Sequence, residues 1–373
     1  MSKPVNPQPL PAATQGPVHI VGTGLLGTSI GVALRRLGVE VTLEDSSPLA
    51  LAVAVELSAG RPRTPDDAAP RLVVVAVPPE VTGQVVAQQL AEYPAASVTD
   101  VASVKAAVLD DLRKAGADLT RYVGSHPMAG RERGGPAAAM ADLFVGRPWV
   151  IADSGQSSRT AVRTVRDLAI DVGATLVSMD PERHDAAVAV VSHLPQLVAS
   201  LVAARLVEAP GGAVELAGQG LRDVTRIAGS DAMLWAAILA ANAPQVASEL
   251  RSIRDGLDDT LGALDAAASG NFGKAITGLH DVIVRGNAGV ERIPGKHGGA
   301  RTDWDVVTVL VTDSPGELGR LFTEVGRAGV NLEDVEIEHA GGKPVGLTSI
   351  SVLRGSGPRL ASALARAGWR ILA

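Results

Sequence analysis

Cysteine is missing from the 373-residue chain, which excludes disulfides and thiolate catalysis and suits a reducing cytoplasm. Aromatic residues make up only 2% of it, so its cores must be packed from Val, Leu, Ile and Ala. Excess positive charge is lacking too. A net charge of −6 offers no basic field to nucleic acid or to an anionic membrane surface. The seven histidines form no compact cluster with carboxylates, so no metal site is expected. Residues 1–15 contain one Lys and no long apolar run, which argues against a signal peptide. This Pro- and Ala-rich stretch is expected to be a disordered tail. One long apolar run is present, Ala186–Val207, but His193, Pro195, Gln196 and Arg205 interrupt it. The cost of polar groups in lipid makes it a buried helix of a helical core, not a membrane span.

Hydrophobic residues, at 46%, are sufficient for two or three cores in a chain of this length. The first part alternates β-like runs with helical ones. Val18–Val21, Val39–Leu43, Leu72–Val77, Ser97–Val101, Tyr122–Gly124 and Trp149–Ala152 read as strands, with Leu25–Leu37 and Lys105–Lys114 among the intervening helices. Strands separated by helices predict a parallel, doubly wound α/β domain over residues 16–178. Residues 179–292 are helical in character throughout. A Gly-rich linker over 293–303 follows. The last segment, 304–373, reads as strand, helix, two strands, helix and strand: Trp304–Thr312, Gly316–Ala328, Val330–Glu338, Val345–Leu353, Pro358–Ala367 and Trp369–Leu372. That is the α+β order of a ferredoxin-like domain.

The first strand runs into Gly22-Thr23-Gly24-Leu25-Leu26-Gly27, and a helix follows. A GxGxxG between a strand and a helix is the Rossmann dinucleotide loop. Gly22 permits the tight turn, Gly24 lets the backbone approach a pyrophosphate, and Gly27 lets helix and strand close up. The helix N-terminus then faces the negative charge. An acidic residue about 20 positions on should hold the adenine ribose hydroxyls, and Glu44 and Asp45 are both available. A carboxylate there repels the 2′-phosphate of NADP, and no Arg follows at once, so NAD is the expected cofactor.

Five blocks, in order, resemble the prephenate/arogenate dehydrogenase family. They are Thr99-Asp100-Val101-Ala102-Ser103-Val104-Lys105; Gly124-Ser125-His126-Pro127-Met128-Ala129-Gly130-Arg131-Glu132; Ser192-His193-Leu194-Pro195-Gln196; Gly220-Leu221-Arg222-Asp223-Val224-Thr225-Arg226-Ile227-Ala228 with Trp235 and Asn242 after it; and the linker from Ile293 to Gly298. The tail looks like an ACT domain, through Asp313-Ser314-Pro315-Gly316-Glu317-Leu318 and Gly329-Val330-Asn331-Leu332. The resemblance implies an enzyme of tyrosine biosynthesis. Hydride leaves C4 of prephenate for NAD, the C4 hydroxyl loses its proton, and the ring carboxylate departs as CO₂ to give 4-hydroxyphenylpyruvate. Arogenate, which bears an amino acid in place of the keto acid, would give tyrosine directly. Aromatisation drives the reaction, so the protein's task is alignment and proton handling.

Roles follow from the resemblance. His126 is the general base, since a neutral imidazole accepts the hydroxyl proton near neutral pH. Ser103 helps to hold that histidine and the hydroxyl, and it would also serve as a helix N-cap. Arg226 clamps the ring carboxylate, with Arg222 one helical turn away. Asp223 and Glu132 would orient the arginines or gate entry. His193 lies near the side-chain end of the substrate, Trp235 lines the pocket, and Gln196 would bias the choice between keto acid and amino acid. Lys105 either neutralises part of the anionic ligand set or sits solvated. Of the two acids, the family's pattern of an acid three residues before a Pro selects Asp45. Arg131, where the family often has a small hydroxyl residue, and Gly218-Gln219-Gly220 depart from the pattern. They leave prephenate and arogenate both open.

In the tail, Asp313, Gly316, Glu317 and Leu318 with Asn331 would hold an amino-acid carboxylate, with tyrosine as the feedback effector. The apolar helices of the middle segment, such as Leu234–Ala241, exceed what one layer can bury, so a homodimer is expected. A β-hydroxyacid dehydrogenase of similar plan would need a helical Lys in the second domain, yet no Lys occurs between Lys114 and Lys274. A non-catalytic nucleotide and amino-acid sensor would keep the GxGxxG and ACT blocks but has no use for Ser103, His126 and Arg226 together.

Overall fold

The computed structural model describes residues 11–130, 134–294, 304–339 and 345–372. The chain divides into two compact units, Met1–Ile253 and Arg254–Ala373. In the first unit β1 (Val18–Val21), α1 (Leu25–Arg36), β2 (Val41–Glu44), α2 (Pro48–Glu56), β3 (Arg61–Pro62), β4 (Leu72–Val75), α3 (Pro79–Glu92), β5 (Ser97–Asp100), α4 (Ala106–Lys114), β6 (Tyr122–Pro127), β7 (Pro148–Ala152), α5 (Arg159–Asp171) and β8 (Thr175–Met179) build one sheet and its covering helices. The strand order is β3-β2-β1-β4-β5-β6-β7-β8. Strand period places Leu72 and Val74 of β4 against one apolar layer and Val73 and Val75 against the other, so the sheet is covered on both faces. Each such buried side chain is worth about 1.5–3 kcal/mol.

The expectation of a wholly parallel sheet needs correction. β7 runs antiparallel to β6, and β8 follows the direction of β7. Between β6 and β7 the described residues hold only a single short 3-10 turn, Pro136–Ala138, and no α-helix. Without a crossover helix to carry it back, the chain re-enters at the end where β6 stops. Strands β3 and β8 had no clear signal in the sequence: the first is two exposed residues, the second a half-exposed edge. The tail also needs correction where it is described. Ala13 N and Thr14 N donate to the Asp171 carboxylate at the end of α5, at 3.1 and 2.6 Å.

The helical continuation comprises α6 (Pro181–Val188), α7 (Leu194–Ala204), α8 (Gln219–Thr225), α9 (Ala232–Ala241) and α10 (Ala243–Ala268), within which the boundary between the units falls. Asp180 caps α6 by accepting from Arg183 N at 2.8 Å, with Pro181 in the first turn. Between α6 and α7 the chain makes a π-turn, Ala189–His193. Pro195 explains it. A proline has no N–H for the preceding turn and its ring crowds the carbonyl four residues back, so the helix widens just before it. The stretch Pro181–Glu208 is long and apolar enough to cross a membrane by length and composition. Only 28% of its apolar window is buried within the chain, so the expected buried core helix is largely uncovered here. Val191 and Leu201 stand exposed on it.

In the second unit α11 (Phe272–Glu291) starts at an Asn271 cap. Then come β9 (Trp304–Thr312), α12 (Glu317–Arg327), β10 (Asp334–His339), β11 (Val345–Leu353), α13 (Gly357–Arg366) and β12 (Arg370–Leu372). They form a four-stranded antiparallel sheet of order β10-β11-β9-β12, with Val309, Leu321, Ile350 and Leu360 in its core. The predicted element order is present.

Candidate active site

Strands β1, β2, β4, β5 and β6 run parallel, so their carboxyl ends share one edge of the sheet. The order reverses at β1, which lies between β2 and β4, and the crevice at such a switch point is where doubly wound sheets bind ligands. The loop Gly22–Gly27 occupies that crevice. A Cβ on Gly22, whose φ is +98°, would fall 2.4 Å from the Ala76 carbonyl oxygen, and one on Gly27 would fall 2.0 Å from that of Gly22. A Cβ on Gly24 would meet nothing within 4 Å. Two glycines therefore serve close packing, and the third leaves room outside the loop. Leu25 and Leu26 open α1, whose N-cap, Gly24, provides no side-chain acceptor, so the N-terminal N–H groups stay available to an anion. The structure separates the two candidate acids. Asp45 accepts from Thr23 N and Thr23 Oγ1 at 2.6 and 2.8 Å, which places its carboxylate on the loop. Glu44 pairs instead with the buried His19 at 3.2 Å.

His126 lies at the end of β6, buried, and it does not stand alone. Its Nδ1 is 2.9 Å from His184 Nε2, and His184 Nδ1 is 2.7 Å from Asp185 Oδ1. His184 and Asp185 come from α6, which packs beside α4 and β7. The Asp185 carboxylate also accepts the N–H groups of Lys105 and Ala106 at 2.8 and 2.9 Å, so it caps α4 from another element. Burial, followed by the nearby His184, Lys105 and His193, pushes the His126 pKa well below the ordinary histidine value. The ring is therefore neutral at neutral pH, as a base must be.

His193 ends the π-turn and is buried. The amide nitrogen of Asn242 reaches both the Asp185 carbonyl, at 2.8 Å, and His193 Nδ1, at 3.1 Å. With the amide donating to Nδ1, the ring hydrogen of a neutral His193 sits on Nε2, which is buried without a partner among the described residues. An orphaned donor of this kind is costly unless a ligand satisfies it. Trp235 of α9 meets the His193 ring edge-on, with centroids 6.2 Å apart.

Several expectations change. Lys105 is neither a free cation nor solvated: it is buried, its Nζ bonds Asp100 Oδ1 and donates to the Ser125 carbonyl at 2.7 Å. Tyr122 OH donates to the other Asp100 oxygen at 2.7 Å. Lys105 thus braces the strand that carries His126. Ser103 lies half-buried between β5 and α4, but Asp185, not Ser103, caps that helix, and among the described residues no hydrogen bond joins Ser103 to His126. Gln196 is buried and donates to the Ile227 carbonyl at 3.0 Å, so it ties α7 to the turn behind Arg226. Arg222 and Arg226 are exposed, the first on α8, the second opening the 3-10 turn Arg226–Ala228. Asp223 is engaged by Gln219 at 2.7 Å. Arg131 and Glu132 lie outside the described residues. Sequence reasoning passed over His184 and Asp185; the available signal was a titratable pair one turn after the Asp180-Pro181 helix start.

Comparison with known proteins decides the family. The prephenate dehydrogenase nucleotide-binding domain matches residues 30–178, and the prephenate dehydrogenase dimerization domain matches 180–273. A Streptomyces niveus protein named "Probable prephenate dehydrogenase NovF" is 38% identical over 94% of this chain and 98% of its own. The chain belongs to the prephenate dehydrogenase family. It is also 30% identical to prephenate dehydrogenase of Bacillus subtilis, over 61% of this chain and 65% of that one. Among solved structures, the A. aeolicus prephenate dehydrogenase in complex with hydroxyphenyl propionate and NAD+ is 27% identical with a TM-score of 0.63, covering 73% of this chain and 97% of that one. The family is one of oxidoreductases, and the matched regions contain His126, His193 and Arg226.

In the second unit, some of the residues singled out in the tail are engaged by neighbours in that unit. Gly316 takes a left-handed conformation, φ +91°, as the N-cap of α12. Glu317 pairs with Arg320 at 2.8 Å, Arg320 stacks on Trp369, and Asn331 donates to Glu333 at 3.1 Å. Asp313 and Leu318 flank that turn.

Proposed function

We propose that the chain catalyses the NAD-dependent oxidative decarboxylation of prephenate to 4-hydroxyphenylpyruvate, as a cytoplasmic homodimer. The observation that carries this reading is a buried, neutral His126 on the same sheet edge as the Gly22–Gly27 loop. The loop suits a dinucleotide: Gly24 leaves open space, the α1 N-terminus lacks a side-chain cap, and the Asp45 carboxylate sits where ribose hydroxyls would be held. Bound there, the dinucleotide supplies the hydride acceptor. His126 takes the C4 hydroxyl proton. His193 Nε2–H donates to an oxygen of the substrate side chain, and Arg226, supported by Arg222, binds the ring carboxylate. Trp235 lines the pocket. Ser103, half-buried on the segment between β5 and α4, would turn toward the C4 hydroxyl.

The division at about residue 178 is supported by the junction of the two family models. The exposed apolar stretch along Pro181–Glu208 supports a dimer through the second region. For the tail we retain an ACT-type regulatory domain with tyrosine as effector, supported by its βαββαβ order and by the left-handed turn at Gly316.

The test is NADH formation by the purified chain with prephenate or arogenate. Turnover with prephenate is the expected result. Turnover with arogenate alone would keep the chemistry and change the substrate. Silence with both, and with NADP, would leave a nucleotide- and amino-acid-sensing protein. Unchanged kinetics in millimolar tyrosine would remove the effector.

A further inference from the structure

The hydrogen bonds behind His126 leave each ring nitrogen a single role. The Asp185 carboxylate only accepts, and it already receives two backbone N–H groups, from Lys105 and Ala106. His184 Nδ1, 2.7 Å from Oδ1, must therefore carry a hydrogen. A singly protonated His184 then presents a lone pair at Nε2, 2.9 Å from His126 Nδ1. That nitrogen of His126 must donate. The neutral imidazole of His126 is left with its lone pair on Nε2.

We propose that His184 and Asp185 are positioning residues for the base: they hold His126 in its Nδ1–H tautomer, so that Nε2 receives the substrate hydroxyl proton, and they compensate the imidazolium that results. The proposal rests on the reading of His126 as the base. In the step, the substrate O–H bond breaks, an Nε2–H bond forms, and the electron pair stays on oxygen. His126 gains one positive charge. No proton leaves His184; its ring passes the field of the Asp185 carboxylate to His126, much as a triad aspartate acts on its histidine.

The surroundings make Asp185 the anion that matters. His126 faces Lys105 from the β5–α4 segment, His184 from α6 and His193 from the π-turn, and Asp185 stands directly behind His184. Asp100, the other carboxylate nearby, is occupied by Lys105, Tyr122 OH and the Ala102 N–H. The Asp185 backbone is fixed as well, through Asn242 on its carbonyl. His184 and Asp185 are buried, so water does not screen the coupling.

A purely structural alternative exists, in which Asp185 merely caps α4 and His184 fills space. Nitrogen-15 spectra of the histidine-labelled full chain separate the two without any turnover. The expected spectrum has both His126 and His184 as Nδ1–H tautomers. His184→Gln keeps an acceptor oxygen for His126, so the tautomer stays. It loses the link to the carboxylate, so kcat falls about 10- to 100-fold with KM unchanged. The acid limb of kcat/KM moves to lower pH, because the imidazolium has lost its compensating charge. His184→Phe fills the space but offers no acceptor. His126 then shifts toward Nε2–H, and kcat falls by up to about 10⁴-fold, the scale of a wrong tautomer in a triad. Should His184→Phe not fold, the wild-type spectrum and His184→Gln still decide. An Nε2–H tautomer at His126 in the wild type would overturn the proposal, as would an unmoved pH limb in His184→Gln. If the wild type turns over neither prephenate nor arogenate, the assay sinks the reaction and the base role with it, while the tautomer is still read from the spectrum.

Discussion

The two halves of the proposed site are built in opposite ways. Around the base, Asp100, Lys105, His126, His184, Asp185, His193 and Asn242 are all buried and almost every polar atom has a partner. The arginines stand exposed on a seven-residue helix and the turn behind it, held to α7 through Gln196. In the low dielectric of the first half each hydrogen bond is strong and the geometry is set before substrate arrives. In the second half the guanidinium groups lie at the exposed surface, where a planar, permanently charged fork suits an anion arriving from solvent. The proposed reading thus gives chemistry to a prebuilt region and capture to an open one. Substitutions in the first should damage kcat or stability; those in the second should damage KM.

The largest effect that could break this contrast is at His126. His126→Asn keeps a short polar side chain but removes the base. We expect kcat to fall about 10²- to 10⁴-fold while NAD binding, followed by fluorescence titration, is unchanged. A loss of NAD affinity of similar size would mean that the histidine serves the cofactor. Next comes Lys105→Met, which leaves Asp100 buried without its cation. Breaking a buried pair by removing one partner costs about 3–5 kcal/mol, and the urea midpoint should drop accordingly. If the midpoint stays in place, the Asp100 cluster is not the brace of β6 described here.

How far the sequence reveals all this also follows the contrast. The GxGxxG turn, the strand that precedes it and the βαββαβ tail are local patterns, readable because backbone sterics and strand period act over a few residues. The resemblance selects Asp45 over Glu44, but the physical reason, Asp45 on Thr23 and Glu44 on His19, appears only once those residues are placed in space. His184, the partner of His126, comes from 58 positions further on with Asp185 behind it, and no periodicity links them to β6. Lys105 reads as a surface cation because a lysine is seldom fully buried; only the geometry of Asp100 and Ser125 reverses that. The return of β7 was hidden for another reason: a missing crossover helix is an absence between two ordinary strands, and alternation alone does not report direction.

In the open half, Arg226→Ala should raise KM for prephenate about 10- to 100-fold, the value of one charge-assisted hydrogen bond, with the thermal midpoint unchanged. Steady-state kinetics beside a melting curve test both parts. A fall in kcat at constant KM would place the arginine with the chemistry instead and erase the division between the halves.

The smallest effect concerns pH and sharpens the same division. Burial lowers the pKa of both His126 and His193, whereas the unfolded chain titrates near about 6.5. Below that value the unfolded state binds protons that the folded state refuses. Stability from these rings is therefore fully present above about pH 6.5 and is lost as pH falls through the lowered folded values. Each ring contributes at most about 1.4 kcal/mol per pH unit within the window. The thermal midpoint should be flat on the neutral side and decline from about pH 6.5 downward, with a shallower decline in His126→Asn. A guanidinium as a class keeps its charge across this range, so Arg226→Ala should leave the slope as it is. Equal slopes in the wild type and His126→Asn would show that protonation of the base is not coupled to the packing of α6 on the sheet, and the rigid half of the site would then lose its electrostatic explanation.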